Sequence, residues 1–262
     1  MRHSQVSTRN PGIKDWTSKY GKHTNLQFFH DAFASFQKQD IGNRGLMTVG
    51  LIGSRDVPGH TLRIAQSVLR WDLRPSYWSH VFVVVEPVTS RTSLGSLPIL
   101  EVPLHPRNGI FPRPECNGIN EGTLGLYDNK SIDANIGLVA VNMTDEDAKK
   151  LKKRAMNWNQ DRLRYNFWEM LGQWQSYLWS QGAKRNPLRE GMPIPASSYI
   201  EFIFEGLGLG VTPGTSERNS APEHLWNAAC WWHKAFREQD RKVIGMFVAR
   251  DRGCAMIRTD EE

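Results

Sequence analysis

The 262-residue chain reads as an α+β fold, an antiparallel sheet packed against helices. Three observations predict it. First, short β-branched runs recur, and the best of them, Ser79-His80-Val81-Phe82-Val83-Val84-Val85-Glu86, holds four valines and a phenylalanine, the pattern of a buried strand. Second, other segments repeat their apolar residues at helical spacing. Third, no internal repeat, low-complexity tract or linker divides the chain, so residues 26–262 are expected to form a single domain. Residues 1–25, polar and marked by Pro11, Gly12 and several lysines, are expected to be a flexible arm.

In chain order, Leu26 to Phe36 has the stripe of an amphipathic helix. Gly45 to Gly53 is a glycine-bounded strand, and Pro58-Gly59 a turn. Thr61 to Trp71 places Leu62, Ala65, Val68 and Leu69 on one helical face. After the valine strand, Leu97 to Leu104 is a strand that Pro98 and Pro103 push towards an edge. Residues 112–133, rich in Gly, Asn, Asp and Pro, are expected to be a long loop beside a cleft. Asn135 to Met143 is a strand. Thr144 then caps a helix that runs towards Trp158, with acids in its first turn and lysines beyond, as the helix dipole favours. Leu163 to Trp179 carries an aromatic stripe that suits a core. A helix follows Ala196 and ends at Gly206-Leu207-Gly208. Ser220-Ala221-Pro222-Glu223 has capping-box spacing and opens a helix from His224 to Phe236. Lys242 to Ala249 is the last strand, with Cys254 to Ile257 as an extension.

Composition narrows the partners. Hydrophobic residues make up 39% and there are ten Trp, enough for a core, while no run approaches the ~18 apolar residues of a membrane span. The N-terminus has no apolar stretch of a secretory signal. A net charge of +6 suits anionic partners, but the charges are scattered as on a solvated surface, and no nucleic-acid-binding motif is present. Cys116, Cys230 and Cys254 form no CxxC pair, and His224 and His233 lack the spacing of a two-ligand helix. Neither a metal nor another cofactor is therefore expected.

Chemistry concentrates in three places. A cysteine hydrolase needs a thiolate, an imidazole that takes and returns its proton, and a polar group that orients the imidazole. The N-terminus of a helix lowers a thiol pKa and offers N–H groups to an oxyanion. The stretch Met192-Pro193-Ile194-Pro195-Ala196-Ser197-Ser198-Tyr199-Ile200 makes such a helix start. His80 heads the valine strand, and Glu101 lies in the next strand, within reach if the two are neighbours.

The order of these elements resembles the circularly permuted NlpC-like papain fold, in which the histidine strand precedes the cysteine helix. Gly45-Leu46-Met47-Thr48-Val49 matches the opening strand, Ser79-His80-Val81 the histidine motif, and Ile99-Leu100-Glu101-Val102 the third catalytic strand. Asn108-Gly109-Ile110 matches the turn after it and Tyr165-Asn166-Phe167 the segment before the nucleophile. Ala196-Ser197-Ser198-Tyr199-Ile200 matches the Cys-Ser-x-x-Val helix start, and Ser220 to Leu225 the Thr-Pro-x-x-Leu element. The resemblance spans about residues 45–235 and implies catalytic positions Ala196, His80 and Glu101, with His105 as an alternative third residue. Ser197, Tyr165 and Tyr77 are the expected substrate contacts.

One departure matters: Ala196 stands at the nucleophile position, and a methyl group cannot attack a carbonyl. An inactivating Cys→Ala replacement, Ser197 as a substitute nucleophile, and a binding-only pseudoenzyme are the three explanations, and the first is adopted. Ser197 lies about 100° further round the helix. Cys230, mid-helix, suits a buried structural thiol. The function implied is a monomeric cysteine-dependent amide hydrolase acting on bacterial cell-wall peptide, inactive with Ala196. By analogy it is a toxin that a secretion system delivers into a target envelope, with an immunity protein and a carrier as partners. A lipid hydrolase or acyltransferase, and a binding module for an anionic polymer, are the alternatives.

Overall fold

A computed structural model describes residues 12–38, 46–86, 88–89, 92–103, 120–158, 174–175, 177–178, 195–208, 210–216, 219–235 and 243–253. Within them the fold is α+β, with one mixed seven-stranded sheet and six helices. The strands are β1 (Ile13–Asp15), β2 (Leu46–Ser54), β3 (His80–Val84), β4 (Pro98–Glu101), β5 (Asn120–Thr123), β6 (Asp133–Asn142) and β7 (Val243–Ala249). Their order across the sheet is β1-β7-β6-β2-β3-β4-β5, and every pairing is antiparallel except β1 with β7. The helices are α1 (Thr17–Tyr20), α2 (Asn25–Lys38), α3 (Val57–Ala65), α4 (Asp145–Trp158), α5 (Ala196–Glu205) and α6 (Pro222–Ala235).

Side-chain alternation along the strands builds two cores, one on each face of the sheet. α2 covers one face. Its Phe28, Phe29, Ala32, Phe33 and Phe36 pack on Phe82, Val84, Ile99, Ile136, Leu138, Ile244 and Met246. Burying a phenylalanine is worth about 1.5–3 kcal/mol, so this stripe alone pins α2 to the sheet. On the other face Leu62 of α3, Leu151 and Ala155 of α4, Tyr199, Ile200 and Ile203 of α5, and Leu225 and Trp226 of α6 pack on Val81, Val83, Leu100, Val102, Val139 and Val243.

Several local expectations change. The described part of the arm is built into the fold: β1 pairs with residues 245–247, Tyr20 is buried, and α2 begins at Asn25. Backbone pairing to a sheet edge orders a segment too polar to signal a strand. Pro58-Gly59 is the first turn of α3, not a separate turn, because the Asp56 carboxylate accepts from the Gly59 N–H and caps the helix there. Beyond Ala65 the chain tightens into a 3-10 turn over Gln66–Leu69, which turns Val68 out to 46% exposure, away from the face shared by Leu62 and Ala65. Part of the expected loop, residues 120–127, forms β5 and a 3-10 turn at Leu124–Tyr127. The Ser220-to-Glu223 spacing makes no capping box. Glu223 accepts instead from the Ser76 hydroxyl at 2.6 Å and from Arg70 at 3.4 Å. Thr144 does cap α4, accepting from the Asp147 N–H at 3.1 Å. The arm before residue 12, most of the aromatic stripe at 163–179, and the extension at 254–257 lie outside the described residues.

Candidate active site

β3 and β4 are neighbours in register, with Phe82 opposite Glu101, so Glu101 and His80 lie diagonally on one face of the sheet. His80 Nε2 lies 2.8 Å from Glu101 Oε2. The two side chains are 15% and 8% exposed, which leaves the ring a window to solvent and the carboxylate almost none. An ionised carboxylate only accepts, so Nε2 carries the proton in this contact and the neutral ring presents Nδ1 as its basic nitrogen. Nδ1 makes no hydrogen bond among the described residues.

A third group completes the cluster. The Tyr127 hydroxyl, fully buried, donates to the same Oε2 of Glu101. Its ring stacks on Phe82 with centroids 5.1 Å apart at 14°, and lies 6.2 Å from the His80 ring. The backbone of Tyr127 is held in turn, its carbonyl accepting from Asn25 Nδ2 at 2.6 Å. The sequence hid this residue, because Leu124-Gly125-Leu126-Tyr127 falls in a stretch with neither helical nor strand period.

The other expected residues fall differently. Ala196 is the first residue of α5, 5% exposed, and its methyl sits in the core beneath α5, on the face opposite the His80 ring. The Ser197 hydroxyl donates to the Ser220 carbonyl, and the turn after Ser220 is tied to Ser76 through Glu223 and to Gln66, whose amide holds the Trp78 carbonyl just before β3. Ser197 is 1% exposed, so its hydroxyl is a structural link that has no surface to offer a substrate. Tyr77 is half-buried on the α5 side, under the Arg70 guanidinium at 4.8 Å and stacked on Phe247. Tyr165 and His105 lie outside the described residues. Cys230 is half-buried in α6, against the core beneath α5.

The cluster can bind, accept and return a proton at Nδ1 while Glu101 fixes the ring and balances an imidazolium. No described helix is long and apolar enough to cross a membrane, and no group of His, Cys, Asp and Glu among the described residues is arranged to hold a metal ion. No protein-family model matches the chain, and no curated protein matches it either.

Proposed function

We propose that this chain is a papain-like hydrolase domain of the permuted NlpC-like type, with His80 as the proton-transferring base and Glu101 as its orienting partner. Its proposed substrate is the peptide of the bacterial cell wall, reached by delivery from a secretion system. The observation that carries the reading is the 2.8 Å contact of His80 Nε2 with Glu101, which leaves Nδ1 as the nitrogen able to take a proton from a nucleophile. The nucleophile would be a thiol at position 196, at the start of α5, where helical N–H groups are free to hold an oxyanion. Strand alternation puts that position and the ring on opposite faces of the sheet, so proton transfer between them requires the start of β3 or of α5 to shift. With alanine at 196 the domain is inactive.

The test is Ala196→Cys, incubated with purified peptidoglycan sacculi and, in parallel, with phospholipid vesicles. Release of muropeptides is expected, and adding His80→Ala should abolish it. Fatty-acid release alone would move the substrate to lipid. If neither product forms, the hydrolase reading fails.

A second reading has its own support. The Ala196 methyl is packed in a core across the sheet from the imidazole, as in a scaffold that binds without cutting. Co-sedimentation with sacculi, undiminished by His80→Ala and with no product from Ala196→Cys, would select it.

A further inference from the structure

The segment from Val57 to Leu73 carries five large apolar residues that face water. Val57 is 62% exposed, Ile64 41%, Val68 46%, Trp71 96% and Leu73 71%; among the described residues only Leu126, Met156 and Trp231 are comparable. Val57 and Ile64 are two turns apart on α3, about 20° from eclipsed. Val68, in the 3-10 turn, and Trp71 and Leu73, just beyond it, continue the run of exposed apolar residues along the chain. The inner side of the same helix is already committed to the core through Leu62 and Ala65, with Arg63 and Gln66 buried and hydrogen-bonded. A surface helix ordinarily sets a polar face opposite its buried one; α3 is apolar on both.

The tip is a built turn. Asp72 receives Arg70 Nε and Nη2 at 2.9 and 2.8 Å and the Arg74 N–H at 3.1 Å. Leu73, at φ +52°, is the one described non-glycine residue in the left-handed region, a conformation a leucine adopts at a cost. Trp71 and Leu73, on either side of Asp72 in this turn, are both turned to solvent.

Charge decides the occupant. Asp72, the one carboxylate of the segment, is paired with Arg70, whose guanidinium holds that acid down at about 2, and Asp56 just before it caps α3. Arg74 is exposed beside the tip, and the whole chain carries +6. An exposed apolar segment with a tryptophan at its tip, a free arginine beside that tip and its own acid paired matches a helix lying in the headgroup layer of an anionic membrane. Trp71, 96% exposed, keeps nearly its whole indole free to enter another phase.

We propose that the Val57–Leu73 ridge docks the protein on the surface of anionic phospholipid bilayers, with Trp71 and Leu73 inserted among the headgroups. This surface is independent of the hydrolase reading: membrane binding needs neither His80 nor a residue at 196.

The experiment is co-sedimentation of the full chain with vesicles of phosphatidylcholine alone and of phosphatidylcholine mixed with phosphatidylglycerol. Binding to the mixed vesicles is expected, weaker at high salt. The Trp71→Ala/Leu73→Ser double variant should lower the bound fraction roughly tenfold or more, since two apolar side chains no longer leave water. Arg74→Glu should weaken binding to the mixed vesicles while leaving the melting temperature unchanged, so the proposal stays testable should the double variant fold poorly. Failure of the wild type to sediment with mixed vesicles, or equal binding by all three proteins, overturns the proposal. A wild-type dimer seen by light scattering and abolished by the double variant also overturns it, because a second copy then covers the ridge.

Discussion

Tyr127 and His80 hold the same oxygen of Glu101. Oε2 therefore takes two donors in a pocket where Glu101 is 6% exposed and Tyr127 is fully buried. Two donors at one acceptor fix the carboxylate, and through it the tilt of the imidazole. Glu101→Ala strands both donors and is expected to cost about 2–4 kcal/mol, at about 1–3 kcal/mol for each buried group left unpaired. Glu101→Gln keeps an acceptor oxygen and should cost much less, and Tyr127→Phe about 1 kcal/mol. Urea denaturation of the three variants checks the order, and an equal loss in all three would refute it.

A buried ion pair closes the far end of α3. Arg63 is wholly buried; its Nη1 meets Asp251 Oδ2 at 2.7 Å, its Nη2 the Asp251 carbonyl at 3.1 Å and its Nε the Ser76 carbonyl at 2.7 Å. Asp251→Ala leaves the Arg63 guanidinium buried without its carboxylate and should cost about 3–5 kcal/mol, and Arg63→Met less, because Asp251 keeps Arg55 Nε at 3.6 Å. The double variant should cost less than the two singles summed, because each single already contains the loss of the shared pair. A double-mutant cycle in denaturant measures this, and strict additivity would show that the pair is not coupled.

Acid should loosen the protein partly through His224. Burial pushes this imidazole down to about 4, and its Nδ1 accepts from the Ala221 N–H at 3.2 Å, as a neutral ring does. The unfolded chain protonates the same ring near 6.5. Between about 4 and 6.5 the unfolded state holds the extra proton, so this contribution is present above that window and is lost as pH falls through it, on the order of 3 kcal/mol in all. Burial also lowers the His60 pKa, with the same sign, whereas it raises that of Glu223, whose contribution is lost as pH rises. The clean observable is thus a difference. Stability should fall less steeply from pH 7 to 4.5 in His224→Asn than in the wild type, and parallel curves would contradict the assignment.

Two glycines of β2 should respond differently to a methyl group. A Cβ on Gly50 would lie 2.0 Å from the tip of the Phe82 ring, whereas on Gly53 it would lie 1.9 Å from the Tyr77 backbone carbonyl. Overpacking of this kind costs about 1–3 kcal/mol or more. Gly50→Ala should be partly rescued by Phe82→Leu, which withdraws the ring. Gly53→Ala has no side chain to trim and should resist rescue. Melting temperatures of the four proteins decide it.

The central strands were legible because their burial on both faces demands unbroken apolar runs, as in Val81 to Val84 and Ile136 to Val141. The helices α2 and α4 announced themselves by stripe and cap. What escaped was structure made by neighbours. Ile13-Lys14-Asp15 becomes a strand only because β7 offers it an edge, and Asn120-Glu121-Gly122-Thr123 only because β4 does. Of the candidate site, His80 and Glu101 could be paired from adjacent strands. Tyr127 could not, since its approach depends on a 3-10 turn with no sequence period. The face on which the 196 position lies depends on the strand phase at His80, and a list of motifs in order does not contain that phase.

The pairing of β1 with β7 brings two distant parts of the chain together at one sheet edge. Asp15 is ion-paired to Arg252, and Arg250 reaches the carbonyls of Tyr20, Gly21 and His23 and the Asn25 side chain. Because β1 runs parallel to β7 and starts beside Gly245, this short strand is what closes that side of the sheet. Removing residues 12–16 should leave the β7 backbone as a bare edge, open to pairing with a second chain.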